Sequence, residues 1–180
     1  ITTSIGDDTV STAGGNDTIT SLGGNDLVAA GNGNNSVFAF GGDNTITSLE
    51  GNDVIVSTGG KDSINSGLGN DFVIAGFGGD TIVSAGGDNT IIAGVFASPN
   101  IDDDGSADSV VTGAGNDTIN VGDGADTVRS GAGNDYVIEG EVFGGIISKN
   151  DDGNLIELGA GNDELAMQVD NLQINDVIDG

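Results

Sequence analysis

Residues 66–92 read SGLGNDFVI, AGFGGDTIV and SAGGDNTII, three nine-residue units in which one pattern recurs. In each unit the fourth residue is Gly, the sixth is Asp or Asn, and the eighth is Val or Ile. The glycine-rich start of the unit predicts a tight turn, because Gly adopts backbone conformations that are closed to other residues. The apolar eighth position predicts a short strand that points one side chain inward.

The same unit fills the chain from Thr3 to Asn175, with Val, Ile or Leu at every eighth position if the two longer units are read with Ile101 and Ile147. The phase slips within 93–102 and again within 139–148, where the units are ten residues long. We interpret each long unit as one repeat with a single residue inserted into its turn. The repeats within 149–180 are degenerate, and we expect one solenoid domain over residues 1–180.

Three-residue strands separated by six-residue turns predict a coil with two units per turn, one for each face. The expected fold is all-β: a right-handed parallel β-roll, or β-solenoid, with two nine-residue repeats per coil. A second pattern distinguishes the two faces, because the ninth position of alternate units is apolar. This stripe favours either a lateral contact with another chain or segment, or simply the β-propensity of an exposed sheet. The predicted stripe consists of Phe38, Val56, Ile74, Ile92 and Val111.

The chain is strongly acidic, with 29 Asp and Glu against three Lys and Arg and a formal net charge of −26. Such a charge repels nucleic acid and anionic membranes, so neither is an expected partner. No run of 18 apolar residues is present, which argues against membrane insertion. Cys and His are absent, which removes thiolate and imidazole metal sites. An acidic chain with a packed core needs a neutralising partner, and divalent cations are the simplest candidate.

The units SGLGNDFVI (66–74), TGAGNDTIN (112–120) and SGAGNDYVI (130–138) resemble the nonapeptide GGxGxDxUx of the repeats-in-toxin (RTX) family, in which U is a large aliphatic residue. The resemblance implies several Ca²⁺ ions in the turns, each held by sixth-position side chains from units two apart and by backbone carbonyls. Such an oxygen-rich site suits Ca²⁺, which takes six to eight oxygen ligands. The implied metal ligands are Asp8, Asp17, Asp26, Asp53, Asp62, Asp71, Asp80, Asp108, Asp117, Asp126, Asp135 and Asp163, with Asn35, Asn44 and Asn89 as weaker ligands.

Stacked carboxylates in successive coils make folding depend on the ion. Two carboxylates one strand spacing apart repel by roughly 3 kcal/mol at an effective dielectric constant near 20. A bound dication converts that repulsion into attraction, so we expect the metal-free chain to be largely unfolded. Position 1 is never Gly in these units, which is a departure from the family pattern.

The pattern offers no nucleophile, base or pocket, and we expect no enzyme. Two functions remain open: a structural unit of an extracellular assembly such as a surface layer, sheath, fibril or adhesin, or the calcium-dependent module of a larger type I-secreted enzyme or toxin. Both imply an extracellular or cell-surface location. The chain starts and stops inside the repeat without a cap, which suits head-to-tail stacking or excision from a longer array. The expected partners, besides calcium ions, are therefore further copies of the chain, in head-to-tail or lateral contact, or a larger parent protein.

Overall fold

The chain coils between two parallel β-sheets, as a computed structural model describes for residues 1–94, 105–139, 142–143, 146–147, 153–167 and 177–179. The first sheet has the order β1-β3-β5-β7-β9-β11-β13-β17-β19. Its strands are β1 (Thr9–Ser11), β3 (Leu27–Gly31), β5 (Thr45–Ser48), β7 (Ser63–Leu68), β9 (Thr81–Gly86), β11 (Ser109–Ala114), β13 (Thr127–Arg129), β17 (Leu155–Glu157) and β19 (Val177–Asp179). The second sheet has the order β18-β14-β12-β10-β8-β6-β4-β2. Its strands are β2 (Thr18–Leu22), β4 (Ser36–Phe40), β6 (Val54–Ser57), β8 (Phe72–Ile74), β10 (Thr90–Ile92), β12 (Thr118–Asn120), β14 (Tyr136–Ile138) and β18 (Glu164–Ala166).

Successive strands alternate between the sheets, so each coil holds two repeats. Val10 pairs with Val28 in the first sheet, and Ile19 pairs with Val37 in the second. The eighth position points inward along both sheets, and these side chains are almost wholly removed from solvent. The predicted all-β parallel β-roll with two repeats per coil is therefore confirmed. No helix among the described residues has the length and apolar character needed to cross a membrane.

The two ten-residue units differ from the prediction of a single inserted residue. Thr90 pairs directly with Thr118, and Thr127 pairs directly with Leu155, so partners that are normally 18 residues apart become 28 apart. Each long unit thus adds ten residues to one coil, and the described strands of the coils on either side pair directly with each other. In the second unit, Val142–Phe143 (β15) and Ile146–Ile147 (β16) form a separate antiparallel pair. At the fourth position these units carry Phe96 and Val142 in place of glycine.

The predicted apolar stripe needs one correction that follows from this register. Val111 lies in β11 of the first sheet, between Val83 and Arg129, and not with the other four residues. The segment 93–102 does not act as a coil unit, so the alternation of faces shifts by one unit after Ile92. The second sheet keeps an apolar row of four adjacent residues, which are Phe38, Val56, Ile74 and Ile92.

The last strand also departs from the sequence alignment. Ile178 pairs with Ile156, whereas the repeat pattern assigned that place to Ile174. Ile174 lies outside the described residues. The degenerate repeat at the end of the chain therefore resumes the first sheet four residues later than the nine-residue period predicts.

Candidate calcium sites

The sixth-position side chains form two columns, one along each edge of the roll. The first edge holds the turns that precede strands of the first sheet, and the second edge holds the turns that precede strands of the second sheet. All the predicted metal ligands fall in these columns. The first edge carries Asp8, Asp26, Asn44, Asp62, Asp80, Asp108, Asp126 and Asn154. The second edge carries Asp17, Asn35, Asp53, Asp71, Asn89, Asp117, Asp135 and Asp163.

One hydrogen bond joins each member of a column to the next. The backbone N–H of Asp62 donates to Oδ1 of Asp80 at 2.8 Å, and that of Asp117 donates to Oδ1 of Asp135 at 2.9 Å. The side chains therefore point into the turn, and most of them are buried. Units two apart lie in adjacent coils, as the predicted sites require.

The second carboxylate oxygen of several aspartates has no donor. In Asp53 and Asp117, Oδ2 is buried and accepts no well-aligned hydrogen bond, and the same holds for Asp8 and Asp17. Burial raises the pKa of Asp62, Asp71 and Asp135, and neighbouring hydrogen bonds offset this effect only in part. A buried carboxylate oxygen without a partner carries a large desolvation cost, which a bound cation removes.

Glycine at the fourth position brings the backbone of adjacent coils together. Gly69 has a φ of +130°, and a Cβ built on it would lie 2.0 Å from the carbonyl oxygen of Gly51. No side chain fits in that space, so carbonyl oxygens line the gap between coils beside the carboxylate column. The resulting donor set consists of carboxylate and carbonyl oxygens.

This donor set fits a hard cation such as Ca²⁺ and fits a softer metal poorly. Within the described part of the chain, no three Asp or Glu side chains converge on one point. Each edge supplies a single sixth-position side chain per coil, so an ion between coils takes the rest of its oxygens from the backbone. Ca²⁺ bound there would neutralise the buried carboxylates and link one coil to the next.

Two features of the site were not found from the sequence. The first is the serine at the start of many units, which faces the carboxylate five residues later. Ser21 donates its hydroxyl hydrogen to Oδ2 of Asp26, and both side chains are buried. Small polar residues recur at position 1 in the sequence, but only the coil geometry brings them against the carboxylates.

The second feature is an exposed ladder formed by the fifth residues. Oδ1 of Asn16 accepts the backbone N–H of Asn34, and Oδ1 of Asn34 accepts that of Asn52, each at 2.9 Å. In this ladder the later coil donates to the earlier one, opposite to the direction in the buried columns. The fifth-position Asn and Asp side chains therefore fasten the outside of many turns without a metal.

Comparison with known families agrees with this site. No curated protein and no solved structure matches the chain. The sequence profile of the RTX calcium-binding nonapeptide repeat, which spans four copies of the unit, matches residues 2–37, 38–73 and 102–137. These segments cover more than half of the chain and include both edges of the roll. The chain belongs to the RTX calcium-binding nonapeptide repeat family and is a calcium-binding structural module.

Proposed function

We propose that this chain is a calcium-dependent rod of an extracellular assembly, such as a surface layer, sheath, fibril or adhesin. The observation that carries the proposal is the row of buried carboxylate oxygens without donors, which Asp53 and Asp117 exemplify. Burying them without a cation opposes folding, so folding would follow the calcium concentration. Calcium is scarce inside cells and abundant outside, which supports folding after export.

The outer surface of the second sheet supports assembly with a further copy of the chain. Phe38, Val56 and Ile74 form a continuous row there and remain only half-buried. Val54 and Phe72 lie beside that row in register, with 37% and 38% of their surface exposed. A contiguous apolar surface of this kind is typical of a protein contact.

The net charge explains why assembly would wait for calcium. Two chains that each carry a formal charge of −26 repel each other strongly. Ions bound along both edges would remove much of that repulsion and leave the apolar row free to associate. A structural role rather than a catalytic one is supported by the roll interior, which is filled by aliphatic side chains.

The test combines circular dichroism with sedimentation velocity on the same samples, first calcium-stripped and then in millimolar calcium. We expect disordered monomers without calcium, and β-structured assemblies with it. A β-structured monomer at every concentration in calcium would contradict the assembly, and would favour a folding module within a larger secreted enzyme or toxin. A chain that is fully β-structured without calcium would contradict the metal dependence itself.

A further inference from the structure

Three of the predicted metal ligands make hydrogen bonds that the aspartates in the same columns do not make. Asn35, Asn44 and Asn89 each accept a backbone N–H through Oδ1 at 3.0 Å, as the aspartates do. Their Nδ2 atoms also donate to the carbonyl oxygen of the glycine two residues earlier, at 2.8, 3.0 and 2.8 Å. All three side chains are buried. In each of these turns, the side-chain amide of the asparagine therefore donates a hydrogen bond to the carbonyl oxygen of the glycine.

The aspartate turns provide an internal comparison. Asp and Asn have the same shape, and Asp53, Asp71 and Asp117 are also held through Oδ1. If the aspartate side chains lie as the asparagines do, their Oδ2 takes the place of the asparagine Nδ2. It would then face the carbonyl oxygen of the glycine two residues earlier with no hydrogen between the two oxygens. Consistent with this, Oδ2 of Asp53 and Oδ2 of Asp117 are buried and accept no well-aligned hydrogen bond. Two facing oxygens repel, and a cation between them removes the repulsion.

We propose that Asn35, Asn44 and Asn89 close their turns without metal, so that the side-chain amide takes the role that Ca²⁺ has in the aspartate turns. The inference rests on the proposed calcium sites at those aspartates. It replaces the expectation of three weak calcium ligands with three positions that take no ion.

Two of these asparagines belong to one coil. Asn35 lies on the second edge and Asn44 on the first edge of the coil formed by residues 30–47. Each Nδ2 also approaches a serine hydroxyl of the next coil, Ser48 at 3.3 Å and Ser57 at 3.4 Å. The coil 30–47 is consequently closed at both edges by amides, and it is the metal-independent coil to which calcium-dependent coils attach on either side.

The experiment replaces the asparagines of these turns by aspartate and counts the calcium ions that each chain binds. The variants are Asn35→Asp with Asn44→Asp, and the control is Asn34→Asp, which makes the same chemical change one residue away on the exposed ladder. Calcium bound per chain is measured by equilibrium dialysis and elemental analysis, and the calcium midpoint of folding by circular dichroism. We expect one additional ion for each converted turn, and no additional ion for the control.

The double variant should also need more calcium to fold. Each conversion removes a buried amide hydrogen bond worth about 1 kcal/mol, which is about fivefold in the folding equilibrium. If the double variant binds the same number of calcium ions and folds at the same calcium midpoint as the Asn34→Asp control, the inference is overturned. If the wild-type chain itself neither binds calcium nor folds with it, the proposed calcium sites fail instead, and this result is distinct.

The reverse substitution tests the same idea if the double variant does not fold. Asp53→Asn installs the amide in an aspartate turn, where it can donate to the carbonyl of Gly51. We expect one ion fewer per chain and a calcium midpoint below that of the wild type. A midpoint raised to the level of Asp53→Ala would show that the amide does not substitute for the ion, and would overturn the inference.

Discussion

The carboxylate of Glu139 accepts a hydrogen bond from Nδ2 of Asn154 at 3.0 Å, and both side chains are buried. With ten of the residues between them set aside, Glu139 and Asn154 lie five residues apart, at positions 1 and 6 of one repeat. Elsewhere this pair is a serine that donates to an aspartate, as Ser21 does to Asp26. In this repeat the carboxylate has moved to position 1 and the donor to position 6. This repeat therefore keeps one buried carboxylate, as the aspartate repeats do, although its position is exchanged.

This exchange predicts strong coupling between Glu139 and Asn154. Asn154→Ala removes a hydrogen bond to a buried carboxylate, and the loss should cost about 1.5–3 kcal/mol of stability in urea unfolding at saturating calcium. The double change Glu139→Ser with Asn154→Asp recreates the arrangement of Ser21 and Asp26, and it should retain most of the wild-type stability. If the stability losses of Glu139→Ser and Asn154→Asp, each measured alone, simply add up to the loss of the double variant, the exchange is contradicted.

The coil and its two acidic columns could be predicted from the sequence, because the inward Val or Ile and the Asp or Asn recur at a fixed period. The contacts of Glu139 could not, since they depend on where the ten-residue unit leaves and rejoins the sheets. Val111 was assigned to the wrong sheet for the same reason. The roles of Asn35 and Asn44 also needed coordinates, because a one-letter pattern does not show which atom of an amide faces the glycine carbonyl.

Calcium should restore β-structure to the stripped chain, whereas magnesium should not. The turns offer carbonyl and carboxylate oxygens from two coils, as the glycine-lined gap beside Asp71 illustrates. Mg²⁺ requires octahedral geometry at shorter distances and retains its waters, so this gap suits it poorly. Far-ultraviolet circular dichroism during titration with each ion measures the effect. Equal β-structure at equal concentrations of both ions would argue against sites of this kind.

Adjacent glycines in one turn should differ sharply in their tolerance of a methyl group. Gly60 has a φ of +110°, and a Cβ there would lie 2.1 Å from the carbonyl oxygen of Gly42. Gly60→Ala should destabilise the calcium-bound roll by at least about 2 kcal/mol through overpacking and backbone strain. Gly59→Ala is the control, because its Cβ would meet nothing closer than 3.9 Å. Thermal unfolding midpoints in saturating calcium compare the two, and similar losses would contradict the close approach of the coils at Gly60.

Acid should partly replace calcium in the stripped chain. Burial raises the pKa of Asp62, Asp71 and Asp135 above the ordinary value of 3.8, so the metal-free folded state binds protons more tightly than the unfolded state. Their protonation stabilises the fold fully below pH 3.8. This contribution to stability is lost as the pH rises through the raised pKa values of the folded state. Circular dichroism of calcium-free protein should show more β-structure as the pH falls from 7 towards about 4. Sedimentation must accompany the measurement, because the isoelectric point is about 4.1. A constant or falling β-signal in soluble protein would contradict the prediction.

The last prediction concerns the outer surface of the second sheet, where Val54 and Phe72 are neighbours in register. Replacing both by Thr keeps the β-propensity and the net charge but removes apolar surface from the proposed contact. Each side chain contributes roughly 1.5–3 kcal/mol when fully buried, so the concentration for half-assembly in calcium should rise at least about tenfold.

The matched control replaces two exposed apolar residues of the first sheet, Leu27→Thr with Val83→Thr, which have 49% and 39% of their surface exposed. Both double variants should fold at the wild-type calcium midpoint, because their side chains point away from the core and the calcium turns. Only the variant with Val54→Thr and Phe72→Thr should show a smaller fraction of assembled species in sedimentation. Equal effects from the two pairs would mean that association is not specific to the second sheet. Unchanged assembly in both would leave the apolar row as an exposed sheet surface that contacts nothing.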